Sequence, residues 1–160
     1  MSSLYSSKMN TYKVIKPIMV FFTKLHRLLF KKYGGRALGS FLGNPFCMIT
    51  TVGRKSGNAI SIPLLAIPHE DNYILVASHG GSPVHPAWYY NLINEPRIKV
   101  TIKSKTYNMF AKLLSDEEKE NIWPIIIKAG PFYDEYQKKI TRNIPVFLCS
   151  KEWMKREIFI

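Results

Sequence analysis

Phe46-Cys47-Met48-Ile49-Thr50-Thr51-Val52-Gly53-Arg54-Lys55-Ser56-Gly57, followed after two residues by Ile60-Ser61-Ile62-Pro63-Leu64-Leu65-Ala66-Ile67, decides how this chain folds. An apolar run enters the stretch and an alternating run leaves it. That pattern predicts a β-hairpin with strands over Phe46–Thr51 and Ile60–Ile67. In the second strand Ile60, Ile62, Leu64 and Ala66 share one side; Ser61, Pro63, Leu65 and Ile67 share the other. The tip holds two glycines, a planar guanidinium, an ammonium and a hydroxyl. Such a set fits phosphate or carboxylate. It is not a nucleotide P-loop, because the Gly-x4-Gly-Lys-Ser/Thr spacing is absent. A solvated basic hairpin tip would have the same composition.

Outward from the hairpin the chain continues as β. Tyr73–Ala77 is a third strand, entered by the turn-like Glu70-Asp71-Asn72. Ile98–Ile102 and Thr106–Leu113 form a hairpin around Lys103-Ser104-Lys105, and Ile144–Cys149 is a late apolar strand. Short helices fill the gaps over Pro86–Ile93 and Pro131–Ile140. Another starts at Ser115, where Asp116-Glu117-Glu118 completes a capping-box pattern. Mostly antiparallel neighbours with modest helices predict an α+β fold with a barrel-like sheet rather than a doubly wound one.

The chain has 160 residues, 46% hydrophobic and 13% aromatic, which suits one globular domain with a real core. Its net charge of +12 is uneven. Residues 1–69 carry ten Lys/Arg and no acid, whereas residues 70–160 carry thirteen against eleven. Pro17 to Tyr33 reads as an amphipathic helix, with Ile18, Phe21, Phe22, Leu25, Leu28 and Leu29 on one face and Lys24, Arg27 and Lys31 on the other. Residues 1–36 therefore form a basic tail and helix, and residues 37–160 a single domain. The longest unbroken apolar run there, Ile18–Phe22, is far short of the ~20 residues a membrane span requires. No signal-peptide cleavage site is evident. The helix either packs on the domain or lies on an anionic membrane surface. The placement of the charge suits that surface better than a nucleic acid. Cys47 and Cys149 lie in strand-like runs and read as reduced core thiols of a cytoplasmic protein. No cysteine or histidine spacing suggests a metal.

Three further segments carry chemistry. Ala77-Ser78-His79-Gly80-Gly81-Ser82-Pro83 ends a strand in glycines that let a ligand approach the backbone, with Ser78 as a donor and His79 as a phosphate contact or proton carrier. An ordinary glycine-rich loop would read the same way. In Pro86-Ala87-Trp88-Tyr89-Tyr90-Asn91, Trp88 offers a flat surface to a planar ring and Asn91 lies on nearly the same helix face; both also suit core packing. Tyr133 and Tyr136 share a helix face and either line a pocket mouth or lie half-buried. His26, His69, His79 and His85 are scattered, and no Ser/His/Asp triad can be built.

Four segments in this order resemble the deazaflavin-dependent nitroreductase family. They are Thr51-x-Gly53-Arg54-Lys55-Ser56-Gly57; Ala77-Ser78-x-Gly80-Gly81-x-Pro83; Pro86-Ala87-Trp88-Tyr89-x-Asn91-Leu92; and Tyr133-Asp134-x-Tyr136-Gln137 with Arg142-x-Ile144-Pro145-Val146. The similarity covers about Gly35 to Cys149. It implies a split β-barrel of the FMN-binding, pyridoxamine-oxidase-like kind. It also implies coenzyme F420, a 5-deazaflavin with a phosphate and an oligoglutamate tail, as the hydride carrier. By that resemblance Arg54, Lys55, Ser56 and Gly57 hold the anionic part. Ala77, Ser78, His79, Gly80, Trp88 and Asn91 lie along the cofactor groove. Ser78, Tyr133 and Tyr136 face the acceptor, a quinone or nitro compound, as the catalytic set. The chain departs from the family at His79, where a lysine is common, and at Gly130, where a tyrosine is common; a glycine there is expected to open the pocket. The expectation is an F420-dependent oxidoreductase, cytoplasmic or peripheral to the membrane and open to homodimerisation. FMN in the same barrel, or a lipid binder without catalysis, is the alternative.

Overall fold

A computed structural model describes residues 40–151. The expected helix over Pro17–Tyr33 and the division at residue 36 lie outside the described residues. Eight strands form one antiparallel sheet: β1 (Ser40–Phe41), β2 (Asn44–Val52), β3 (Ala59–Leu65), β4 (Ile67–His69), β5 (Asn72–Val76), β6 (Arg97–Ile102), β7 (Lys105–Leu113) and β8 (Val146–Ser150). Their order is β1-β2-β6-β7-β8-β5-β4, and β3 pairs with β2. Three helices follow the predicted positions: α1 (Ala87–Asn94), α2 (Asp116–Ala129) and α3 (Phe132–Lys139). This is the curled, mainly antiparallel split-barrel sheet that the sequence predicts.

The predicted strand Ile60–Ile67 is two strands. The backbone turns at the fully buried Ala66, whose N–H donates to the Pro45 carbonyl at 2.9 Å. β3 stays with β2, in register from Phe46↔Leu65 to Val52↔Ala59, while β4 crosses to β5. The two ends of the sheet are thus joined by a covalent corner rather than by a strand ladder. Among the described residues β3 has one ladder partner, β2. A one-sided strand tolerates Pro63, which cannot donate to a ladder. It also explains why alternation misleads here: residues 61–65 are half-buried on both faces, because β3 is a wall and not a core strand.

The curl encloses one apolar cluster and carries another outside. Ile49, Leu75, Val100, Met109 and Phe147 fill the interior with the buried, free thiols Cys47 and Cys149. Burial pushes the Cys47 thiol up to about 12, so it is inert at neutral pH. α1 plugs one end with Trp88 and Leu92; the indole meets Phe147 at 5.7 Å between ring centroids. α2 and α3 cover the other face of β5 and β8 with Ile126, Ala129 and Tyr133 against Ile74, Val76 and Val146.

α2 begins with the predicted capping box. Ser115 Oγ accepts from the Glu118 N–H at 3.2 Å, and the Ser115 N–H donates to Glu118 Oε2 at 2.9 Å. Ser115→Ala removes the first of these bonds. The expected loss is about 1 kcal/mol, read as a fall of about 2–4 °C in Tm with no change in ligand affinity.

Candidate active site

The hairpin tip is built by its own backbone. The Gly57 and Ser56 N–H groups donate to the Gly53 carbonyl at 2.7 and 3.2 Å, and the Gly53 N–H donates to the Asn58 carbonyl at 2.8 Å. Gly57 adopts a left-handed φ of 69°, which glycine takes without strain. Gly53 is required for another reason: a Cβ there would lie 2.7 Å from Ser56 Oγ and 2.8 Å from Ile60 Cδ1. Gly53→Ala therefore displaces the Ser56 hydroxyl and the Ile60 methyl and presses on the Asn58 carbonyl, 3.2 Å from the added Cβ. The expected destabilisation is ~1–2 kcal/mol, visible in urea unfolding, with weakened anion binding.

α1 fixes this tip from beside it. The Asn91 carboxamide oxygen accepts from the Arg54 backbone N–H at 3.1 Å, and its NH2 donates to Thr51 Oγ1 at 3.0 Å. Arg54 extends its guanidinium over the Tyr90 ring, 5.0 Å from the centroid. Lys55 and Ser56 stand exposed beside it. Neither Arg54 nor Lys55 has an ion-pair partner among the described residues. Among the described residues the tip thus holds two positive charges without an ion-pair partner, that of Arg54 placed by the Tyr90 ring.

From the tip a cleft of about 790 Å³ runs along β3, past Trp88, to the end of β5. Ile60, Ile62, Pro63, Leu64 and Leu65 form its apolar wall. Its far end holds Ser78 and Tyr133, 8% and 6% exposed. Neither hydroxyl has a hydrogen-bond partner among the described residues. Unpartnered buried hydroxyls are costly, so this end is shaped for a ligand's acceptor atoms. Burial pushes the Tyr133 phenol well above its ordinary value, which keeps its proton in place at neutral pH.

The turn after Ser78 is left-handed three times over: His79 at φ 52°, Gly80 at 62° and Gly81 at 72°. The His79 ring donates from Nδ1 to the Val84 carbonyl at 3.2 Å, since a carbonyl only accepts. Arg142 grips the turn from behind. Its guanidinium donates to the carbonyls of Ser82 at 2.9 Å, Ser78 at 2.8 Å and Ala77 at 3.3 Å.

Nine of the residues singled out in the sequence line one cleft: Arg54, Lys55, Ser56, Ser78, His79, Gly80, Trp88, Asn91 and Tyr133. Three do not. Gly57 shapes the tip. Ala77 is fully buried in the interior cluster. Tyr136 packs on Gly81, where an added Cβ would meet its ring at 3.1 Å. Gly130 does not open the pocket either: the Phe132 ring fills the space, 2.7 Å from where a Cβ would stand. Arg142, Thr51 and Tyr90 gained no site role from the sequence. Only the position of Arg142 among the ordered segments hinted at one.

An uncompensated cationic tip, a flat indole, an apolar wall and two unpartnered hydroxyls fit a long ligand with an anionic end and a polar, planar end. The donor set therefore fits F420. The model of a family described as F420H(2)-dependent quinone reductase matches residues 22–151. The chain belongs to that family. Among F420H(2)-dependent quinone reductases, one from Mycobacterium tuberculosis is 28% identical over 132 residues, covering 80% of this chain and 89% of the relative. A solved F420-H2 dependent reductase is 39% identical, covers 66% of this chain and 94% of its own, and superposes with a TM-score of 0.62. A structure described as a domain-swapped dimer is 34% identical over 84% of this chain and 99% of its own, with a TM-score of 0.63. The quinone reductase family agrees with the resemblance read from the four ordered segments, and it does not favour the lipid-binding alternative.

Proposed function

We propose that the protein reduces an electron-poor small molecule, a quinone first of all, with reduced F420. The observation that carries this reading is the polarity of the cleft: among the described residues, cations without an ion-pair partner stand at one end and hydroxyls without a hydrogen-bond partner at the other. Reduced F420 supplies the hydride when bound. Arg54, Lys55 and Ser56 hold its anionic tail at the hairpin tip. Trp88 and the β3 wall enclose the ring region and exclude water. Ser78 Oγ orients an acceptor carbonyl by donating to it. Tyr133 Oη, kept protonated by burial, donates a hydrogen bond to the acceptor oxygen as negative charge grows there, and the proton that completes the reduction comes from solvent once the product reaches the cleft mouth.

The experiment is a titration of the full chain with oxidised F420 and, separately, FMN, followed by tryptophan fluorescence and then by F420H2 oxidation with a quinone. Quenching by F420 with weak or no quenching by FMN, and turnover only with quinone present, is the expected result. Quenching by neither ligand sinks the reading.

Three finer points belong to the same proposal. The protein works as a homodimer, a reading supported by the relative described as a domain-swapped dimer. It acts in the cytoplasm; no helix among the described residues is long and apolar enough to cross a membrane. Its basic N-terminal segment, with no acid before Glu70, favours an anionic membrane surface. Co-sedimentation with vesicles of anionic against zwitterionic lipid tests that last point.

A further inference from the structure

We propose that Arg142 is a positioning residue for this site, clamping the left-handed turn that carries Ser78, with His85 as its hydrogen-bond acceptor. The proposal rests on the reading that the cleft holds F420. Arg142 lies between α3 and β8, outside the cleft lining. Its guanidinium has four partners: the carbonyls of Ala77, Ser78 and Ser82, and Nδ1 of His85 at 3.2 Å. The turn's other holds are mostly local: Gly81 N–H to the Ser78 carbonyl at 3.1 Å, Ser82 N–H to the His79 carbonyl at 3.2 Å, Val84 N–H to Ser82 Oγ at 3.3 Å, His79 Nδ1 to the Val84 carbonyl, and the Tyr136 ring against Gly81. Arg142 instead ties three of its carbonyls to a segment about sixty residues away. Gly80 and Gly81 take left-handed φ without strain, but His79 at φ 52° persists there only when its surroundings impose it.

Arg142 is in turn held by the helix that carries Tyr133. Gln137 Nε2 donates to the Arg142 carbonyl at 2.9 Å. Gln137 Oε1 accepts from the Ile144 N–H at 2.8 Å and from Lys119 Nζ at 3.0 Å. One side chain and one carbonyl thus keep Ser78 and Tyr133, which stand on separate elements, in a common frame.

The clamp has a protonation condition. A guanidinium only donates, so His85 Nδ1 accepts and the ring is neutral with its proton on Nε2. A protonated ring offers no acceptor and adds a like charge. Tyr89 stacks on the ring at 4.4 Å and Tyr90 meets it edge-on at 6.0 Å, with Arg54 over Tyr90. No carboxylate pairs with His85 among the described residues. Burial first, then the Arg142 charge, holds the imidazole below its ordinary 6.5. The unfolded ring therefore binds the proton more readily than the folded one. The clamp is intact above about 6.5 and is lost as pH falls through the lowered folded value.

The test uses the full chain, with two readouts from about pH 8 to about pH 5. One is hydrogen exchange at the Gly81 and Ser82 amides without ligand, corrected for intrinsic rates. The other is the F420 dissociation constant by fluorescence. Arg142→Gln is expected to lower protection of both amides and raise the dissociation constant, each about tenfold, the scale of one hydrogen bond to a charged group. The native protein loses protection and affinity together as the pH falls. His85→Gln, whose amide oxygen still accepts, keeps both at low pH. Unchanged protection in Arg142→Gln, or a pH response of His85→Gln that matches the native one, overturns the proposal. So does lost protection without lost affinity. If Arg142→Gln does not fold, the His85→Gln profile decides alone. No F420 binding by the native chain means that the cofactor reading has failed, while exchange in the ligand-free protein still judges the clamp; Lys55→Ala is the reference, expected to weaken F420 binding with the protection of both amides unchanged.

Discussion

Replacing Arg54 and Lys55 together by alanine is expected to raise the F420 dissociation constant about a hundredfold and to flatten its dependence on salt. Each side chain offers a charge-assisted hydrogen bond of ~1.5–3 kcal/mol to an anionic oxygen. Both are exposed, so solvent screens them and the low end applies. Two such contacts give about 3 kcal/mol, or roughly two powers of ten. Salt screens exposed charges over about 8 Å at physiological ionic strength, so native affinity falls with salt while that of the double variant barely moves. Folding should be almost unaffected, because neither cation has an ion-pair partner to lose among the described residues. Fluorescence titration at low and high salt reads both quantities. A deazaflavin without its anionic tail is the control and should bind both proteins alike. Equal affinity of the two proteins for intact F420 would remove the tip from the site.

Asn91→Leu is the second large effect, and it falls on stability as well as binding. Asn91 is 5% exposed and spends its carbonyl on the Arg54 N–H and its NH2 on Thr51 Oγ1. Leucine keeps the volume but leaves the Arg54 N–H without that partner and leaves Thr51 Oγ1, 1% exposed, with its long donation to the Ile60 carbonyl at 3.5 Å. At ~1–3 kcal/mol for a buried group that loses its partner, a loss of about 2–4 kcal/mol is expected for the pair. That lowers Tm by about 5–15 °C in a chain of this size. Asn91→Asp separates the two roles. Its carboxylate still accepts from Arg54 N–H, and the Thr51 hydroxyl can turn to donate to it, so stability is largely kept. The new negative charge sits against the anion tip, so F420 affinity falls about tenfold or more. Thermal melts with ligand titrations on both variants check this; a stable Asn91→Leu with native affinity would contradict it.

Most strands were legible because alternation and apolar runs lie between strong turn signals. Thr106–Leu113 and Ile98–Ile102, for instance, are separated by Lys103-Ser104-Lys105 and pair as predicted. The corner at Ala66 was not legible, because Ile60–Ile67 alternates without interruption and the turn is imposed by a bond to Pro45 twenty-one residues away. The cationic tip could be read from residue types alone. Its brace could not: Asn91 shows only as a polar residue on a helix face, and its two bonds exist only once β2 and α1 meet. Arg142 was hidden for the same reason, since its partners lie about sixty residues earlier in the chain. Gly130 misled because an absent side chain suggests space, whereas the neighbouring Phe132 ring occupies it.

The one-sided wall strand has an evolutionary consequence. Among the described residues the peptide groups that hold β3 are shared with β2 alone, and its side chains at 60, 62 and 64 line the cleft, Ile62 and Leu64 packing on the Phe147 cluster as well. Exchanging Ile60 alters the width and greasiness of the chamber while the barrel ladder and the core stay as they are; exchanging Ile62 or Leu64 also touches the edge of that core. Selection for a new acceptor can therefore act on β3 at a smaller cost to folding than the same drift on β6 or β8, whose buried residues fill the core. Divergence among relatives in acceptor preference should concentrate on that strand.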